Sequence, residues 1–112
     1  MENKELKLKD SLFLKKNNHF EKVTVEAIHM LKAEGDFTAI HTNSASFIYS
    51  MVLDKMEEIL PPSVFIRVHK DYIVNSLAVS GFEGNLLHVD GNNVPVSKSY
   101  RDRVLELFKN NS

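Results

Sequence analysis

Five histidines, one pair of adjacent carboxylates and three basic or polar turns are the groups in this sequence whose types and spacing could do chemistry. His19, His29, His41, His69 and His88 are scattered, and no two stand four apart, the spacing that sets two metal ligands on one helix face. Glu57 and Glu58 are neighbours, and neighbouring side chains on a helix point in different directions, so they form no acid–base pair. No serine lies in a Gly-x-Ser-x-Gly elbow, and the four glycines build neither a phosphate loop nor a dinucleotide fingerprint. Cysteine is absent, which removes thiolate chemistry, disulfides and cysteine-based zinc sites. The expectation is a protein without enzymatic activity, metal or cofactor.

The polar turns are a different matter. Arg67-Val68-His69-Lys70-Asp71-Tyr72 crowds basic side chains between two apolar runs. Ser97-Lys98-Ser99-Tyr100-Arg101-Asp102-Arg103 is basic and hydroxyl-rich at a predicted helix N-terminus, where exposed amides favour anions. Glu34-Gly35-Asp36, followed by Phe37 and Thr38, forms the third. Lysine and arginine in such places neutralise phosphates, and histidine, lysine and serine on loops reach base edges. The same clusters also read as ordinary solvated turns, because acidic residues dilute each of them. Bulk charge does not choose between the two readings: 14 basic against 15 acidic residues leave a net charge of −1.

The elements that must hold these turns follow from pattern. At 112 residues, 43% hydrophobic and 26% charged, the chain reads as one folded globular domain, which excludes a disordered tail or a fibrous repeat. No apolar run approaches the roughly 20 residues of a membrane helix, and the first ten residues alternate charges instead of offering a signal-peptide core, so a cytoplasmic domain is expected. Residues 1–10 read as a solvated lead-in or linker remnant, and residues 11–110 as the domain proper. Short strands are predicted over residues 11–15, 19–25, 27–34, 37–42, 46–49, 65–68, 72–74, 77–82, 86–89 and 94–96, separated by Asn-, Asp- and Gly-bearing turns. Val52, Met56, Ile59 and Leu60 stand at helical spacing within residues 50–60, which end at Pro61-Pro62. Tyr100, Val104, Leu107 and Phe108 mark one face of a second helix, with Ser99 and Asp102 spaced as a capping box. The fold class expected is mainly β (α+β by count), with one internal and one C-terminal helix.

The order of these segments resembles the LytTR DNA-binding domain, the output module of LytR/AlgR-type bacterial response regulators. FIRVHKDYIVN at residues 65–75 is similar to the family signature Phe-x-Arg-(Ile/Val)-His-(Arg/Lys)-Ser-Tyr-(Ile/Val)-Val-Asn. IHMLKAEGDFTAIHT at residues 28–42 resembles its Ile-x-x-(Ile/Leu)-Glu-Ala-x-Gly-(Asp/Asn)-Tyr segment, Leu60-Pro61 its Leu-Pro, and VPVSKSYRDRV at residues 94–104 its Ile-Pro-Val-Ser-Arg-x-Tyr ending. The resemblance implies an elongated arrangement of small sheets whose loops enter successive major grooves of double-stranded promoter DNA. By position it implies DNA contacts from Gly35, Asp36 and Phe37, from His69 and Lys70, and from Lys98 and Ser99, with Arg101 close enough to touch a phosphate. It also implies pairing of two copies on DNA, and a receiver domain or protein partner that this chain does not contain.

Lys70 is expected at a base edge or phosphate, His69 as the residue that orients the turn, Lys98 beside the backbone, and Ser99 hydrogen-bonded to a base or phosphate. Arg67 is expected to face a structural carboxylate, Phe65, Tyr72, Ile73 and Val74 to lie in the core, and Asn75 to cap a turn. Lys32, Phe37 and Asp71 depart from the family's usual glutamate, tyrosine and serine. The competing expectation is a protein-interaction domain of the same fold without specific DNA binding.

Overall fold

In the computed structural model, which describes residues 5–109, the chain forms two antiparallel sheets and two helices. The elements are β1 (Ser11–Lys16), β2 (His19–Thr24), β3 (Ile28–Glu34), β4 (Phe37–Thr42), β5 (Ser46–Tyr49), α1 (Leu53–Ile59), β6 (Phe65–His69), β7 (Tyr72–Asn75), β8 (Val79–Glu83), β9 (Leu86–Val89), β10 (Asn92–Pro95) and α2 (Arg101–Lys109). Seven strands pair in the order β2-β1-β5-β4-β3-β7-β6, and three form a second sheet in the order β10-β9-β8. This is the mainly β class expected, elongated to 43 × 32 × 26 Å.

Alternation on the strands gives the large sheet two faces with different fates. On one face Leu14, Leu31, Ile40, Phe47 and Ile73 close over Leu53, Met56 and Leu60 of the α1 segment. On the other, Met30, Ile66 and Val74 meet Leu87, Val89 and Val94 of the small sheet and Val104 of α2. The small sheet covers only the β3–β7–β6 half of that second face. Phe13, Phe20, Phe37 and Ile48, on β1, β2, β4 and β5, remain exposed there.

Several boundaries differ from expectation for local reasons. The internal helix begins at Leu53, and Val52, expected inside, is 39% exposed, because its extended backbone (φ −71°, ψ 156°) puts it before the first helical turn. β2 ends at Thr24, and Val25 turns inward in a 3-10 turn (Val25–Ala27). Ser99 does not cap α2: it lies inside a 3-10 turn (Lys98–Tyr100) whose cap residue is Ser97, and the Ser97 side chain makes no capping bond. β10 starts two residues early because the Asp90-Gly91 turn, with φ of 49° and 79°, pairs Val89 with Asn92. Leu6 and Leu8, read as part of a solvated lead-in, pack on the first core cluster, and the Leu6 N–H donates to Ile59 O at 2.6 Å. Residues 1–4 and 110, included in the expected boundaries, lie outside the described residues.

Candidate nucleic-acid interface

The antiparallel ladders decide which turns share an end of the sheet. β3 runs up to Glu34, and β7 starts beside it, with Lys32 opposite Tyr72 and the Ala33 N–H donating to Asp71 O at 2.9 Å. The β3–β4 turn (Gly35, Asp36) and the β6–β7 turn (Lys70, Asp71) are therefore neighbours on one end. The third cluster joins them through a bulge. The β6–β7 register slips between Arg67 and His69, which leaves Val68 out of step, and its carbonyl accepts the Ser97 N–H at 3.1 Å. That bond holds Lys98 and Ser99 next to His69. Seven of the eight expected contact residues (Gly35, Asp36, Phe37, His69, Lys70, Lys98 and Ser99) thus belong to three adjoining turns, and of these only His69 is partly covered.

Arg67 shapes the middle turn. Its side chain is 7% exposed. Nε donates to His69 O at 2.8 Å, Nη2 donates to Lys70 O, and Nη1 lies 2.7 Å from Glu57 Oε1 and 3.0 Å from Asp54 Oδ1. One guanidinium fork therefore fastens two successive carbonyls of the turn to two carboxylates of α1. Burial works against its charge, but the hydrogen bonds and charges of Asp54 and Glu57 prevail and hold its pKa above the ordinary arginine value. With both carbonyls held from inside, the Lys70 side chain points away from the body, exposed and without an ion pair among the described residues.

His69 completes the turn. Its Nδ1 accepts the Asp71 N–H at 3.1 Å, so a neutral ring carries its proton on Nε2 and offers a donor there. Its ring meets the Tyr72 ring edge-on, with centroids 5.6 Å apart, and Tyr72 is half-buried instead of fully in the core. Asn75 caps the far end of β7 as expected: its Oδ1 accepts the Leu77 N–H at 2.8 Å while Nδ2 donates to Ile28 O at 2.9 Å.

The β3–β4 turn is built from backbone alone. Glu34 pairs with Phe37, and Gly35 takes φ 63°, the positive value that glycine adopts without a Cβ penalty. Phe37 is 45% exposed at the start of β4. Arg101 is placed differently from the other seven. Its Nη1 donates to Gly84 O at 3.0 Å and Asn85 Oδ1 at 3.2 Å, and its guanidinium lies over the Phe82 ring at 5.1 Å. That arginine ties the start of α2 to the β8–β9 turn.

The sequence foresaw a carboxylate partner for Arg67 but not which one. Asp54 and Glu57, three apart and so on one side of α1, were the available signal. Among the described residues no three His, Asp or Glu side chains gather as a metal site.

Known proteins resemble this chain in sequence and in fold. The family model described as the LytTr DNA-binding domain matches residues 18–109. The CO-responsive transcriptional regulator RcoM of Rhodospirillum rubrum is 31% identical over 95 residues, which are 79% of this chain and 40% of that protein. The sensory transduction protein LytT of Bacillus subtilis is 32% identical over 75 residues, 62% of this chain and 31% of its own length. The chain therefore spans well under half of either regulator. A solved LytTr DNA-binding domain of a methyl-accepting/DNA response regulator from Bacillus cereus superposes with a TM-score of 0.80 at 27% identity, covering 88% of this chain and 96% of that one. With its sequence matched over most of its length and its fold matched as a whole, this chain belongs to the LytTR family of DNA-binding domains.

Proposed function

We propose that this domain binds double-stranded DNA sequence-specifically through the β3–β4 turn, the β6–β7 turn and the 97–99 turn, and that it acts in transcription regulation. The observation that carries the reading is the convergence of three separate, exposed turns on one end of the sheet, the central one carrying Lys70 and shaped from within by Arg67. Lys70 supplies the contact to a base edge or phosphate, and His69 Nε2 donates to phosphate. Lys98 neutralises backbone charge, Ser99 hydrogen-bonds to a base or phosphate, and Gly35 lets the first turn approach the groove closely. Successive turns enter successive major grooves of a promoter repeat. Arg101 adds a phosphate contact through the guanidinium nitrogens not engaged by the β8–β9 turn. Two copies occupy adjacent repeats, and a receiver domain or protein partner supplies the input, as in a two-component regulator.

Selection from a random duplex pool at about 150 mM salt, followed by anisotropy titration of the winner, tests this. The expected result is an enriched motif bound at least about 10³-fold more tightly than scrambled duplex. A pool that does not enrich, with only weak salt-sensitive binding, would contradict specific recognition and favour a protein-interaction role for the fold.

A further inference from the structure

The 97–99 turn is not braced by its own side chains: Ser97 makes no capping bond, and Lys98 and Ser99 are exposed. What fixes it comes from the small sheet. Glu83 pairs with Leu86, which leaves Gly84 and Asn85 as the two-residue turn between β8 and β9, with Gly84 at φ 63°. That turn grips the chain on either side of residues 97–99. Before them, Asn85 O accepts the Val96 N–H at 2.9 Å. After them, Arg101 Nη1 donates to Gly84 O at 3.0 Å and to Asn85 Oδ1 at 3.2 Å. The Arg101 guanidinium also lies over the Phe82 ring, which stacks on Phe108 of α2 with centroids 6.1 Å apart and planes 11° from parallel. The chain thus leaves the grip of the β8–β9 turn at Val96 and returns to it at Arg101, with Lys98 and Ser99 between.

We infer that Asn85 and Arg101 are positioning residues that hold Lys98 and Ser99 in the geometry that meets DNA. The inference rests on the DNA-binding reading, and it gives Arg101 a second task beside its phosphate contact. A short loop pinned at both ends keeps few conformations, so little ordering is left for the moment of binding. The planar guanidinium suits both tasks: Nη1 spans two acceptors on the β8–β9 turn, while Nε and Nη2 have no partner among the described residues and stay open to phosphate. Asn85 carries no charge and belongs to none of the three DNA-facing turns, so its side chain acts on affinity through Arg101. Ser97, whose N–H donates to Val68 O, joins the pinned turn to the β6–β7 turn. The bracket therefore sets where Lys98 and Ser99 stand relative to His69 and Lys70.

The test measures affinity for the selected duplex, its salt dependence and the amide resonances of the free chain. Arg101→Lys keeps the cation and removes the fork. The resonances of residues 97–99 should move in the free chain. Affinity should fall about 10-fold with its salt dependence unchanged, because the number of cations facing phosphate stays the same. Asn85→Ala removes one arm of the bracket: the same resonances should move, with a loss of about 3-fold, and the double variant should lose less than the product of the two. Asn85→Asp returns an acceptor to Arg101 and should bring those resonances back toward their wild-type positions. All variants should melt within about 5 °C of the wild type, so that unfolding does not account for the losses. Unmoved resonances at 97–99 in Arg101→Lys overturn the bracket, whether affinity is kept or lost, since a loss would then arise at the DNA itself. Moved resonances with full affinity overturn it too, because the placement of the turn would not matter to binding. In both cases specific binding by the wild type leaves the DNA-binding reading standing. A wild-type chain that binds no duplex specifically removes that reading and the inference together.

Discussion

The β6–β7 and β3–β4 turns stand side by side on one end of the sheet and are built in opposite ways. The first carries a lysine at its tip and is held from below by a buried guanidinium that reaches two of its carbonyls and two helix carboxylates. The second carries a glycine with positive φ, and nothing lies within 4 Å of where a Cβ would sit there. A cation aimed at DNA gains from having its backbone fixed in advance, since little ordering remains for the moment of binding. The glycine turn is the reverse: a slim backbone with no side chain bracing it at Gly35. The braced turn also makes α1 part of the site, since the carboxylates that hold Arg67 come from that helix.

The comparison breaks most readily at Arg67. Arg67→Met should cost about 2–4 kcal/mol in urea denaturation, because it leaves two carbonyls and two carboxylates without their shared donor. Amide resonances of residues 69–71 should move while those of 34–37 stay in place. Equal movement of both turns would remove the distinction between them. Lys70→Ala tests the tip without the brace: duplex affinity should fall about 10-fold and its salt dependence should flatten by about one ion, with stability changed by less than about 0.5 kcal/mol. In the other turn, Gly35→Ala should cost about 1 kcal/mol, all of it backbone strain, since the added methyl meets no neighbour.

The smallest effect concerns pH. His41, on β4 below the glycine turn, bonds through Nδ1 to Ser46 Oγ at 2.7 Å. Burial, then the charge of Lys32, holds its pKa below the ordinary histidine value, and Glu34 opposes this only in part. The folded state therefore takes up this proton less readily than the unfolded chain, so stability drops as pH falls through about 6.5 toward the lower folded value. His41→Gln should flatten the melting-temperature profile between about pH 7.5 and 5, whereas the arginine brace keeps its charge across that range.

Much of the fold was legible in the sequence because two-residue alternation and Gly/Asn turns are local signals. β4, β5 and β9 fall where they were expected, and both helices lie within the segments whose apolar residues stand at helical spacing, although Val52 falls before α1 and Leu60 after it. What stayed hidden depends on distance. The bond between Val68 O and Ser97 N–H joins residues 29 positions apart through a bulge, and a bulge is a departure from the alternation that a sequence reader relies on. Arg67 could be read as facing a carboxylate, but the choice of Asp54 and Glu57 required knowing that α1 packs beneath β6. The exposure of Phe13, Phe20 and Ile48 went unread for the opposite reason. Phe13, Phe20 and Ile48 look like core residues in any alternating strand, and only the partial cover of the small sheet leaves them outside.

The account's central claim is that three turns on one end of the sheet, with Arg101 adding a phosphate contact, meet the DNA in a single bound copy. Amide chemical-shift mapping of the wild-type chain titrated with its selected single-site duplex tests this most directly. Shifts concentrated at residues 34–37, 69–71 and 97–99, with Phe13, Phe20 and Ile48 undisturbed, are the predicted result. Shifts centred on Phe13, Phe20 and Ile48 or on α1, with the three turns unmoved, would contradict it.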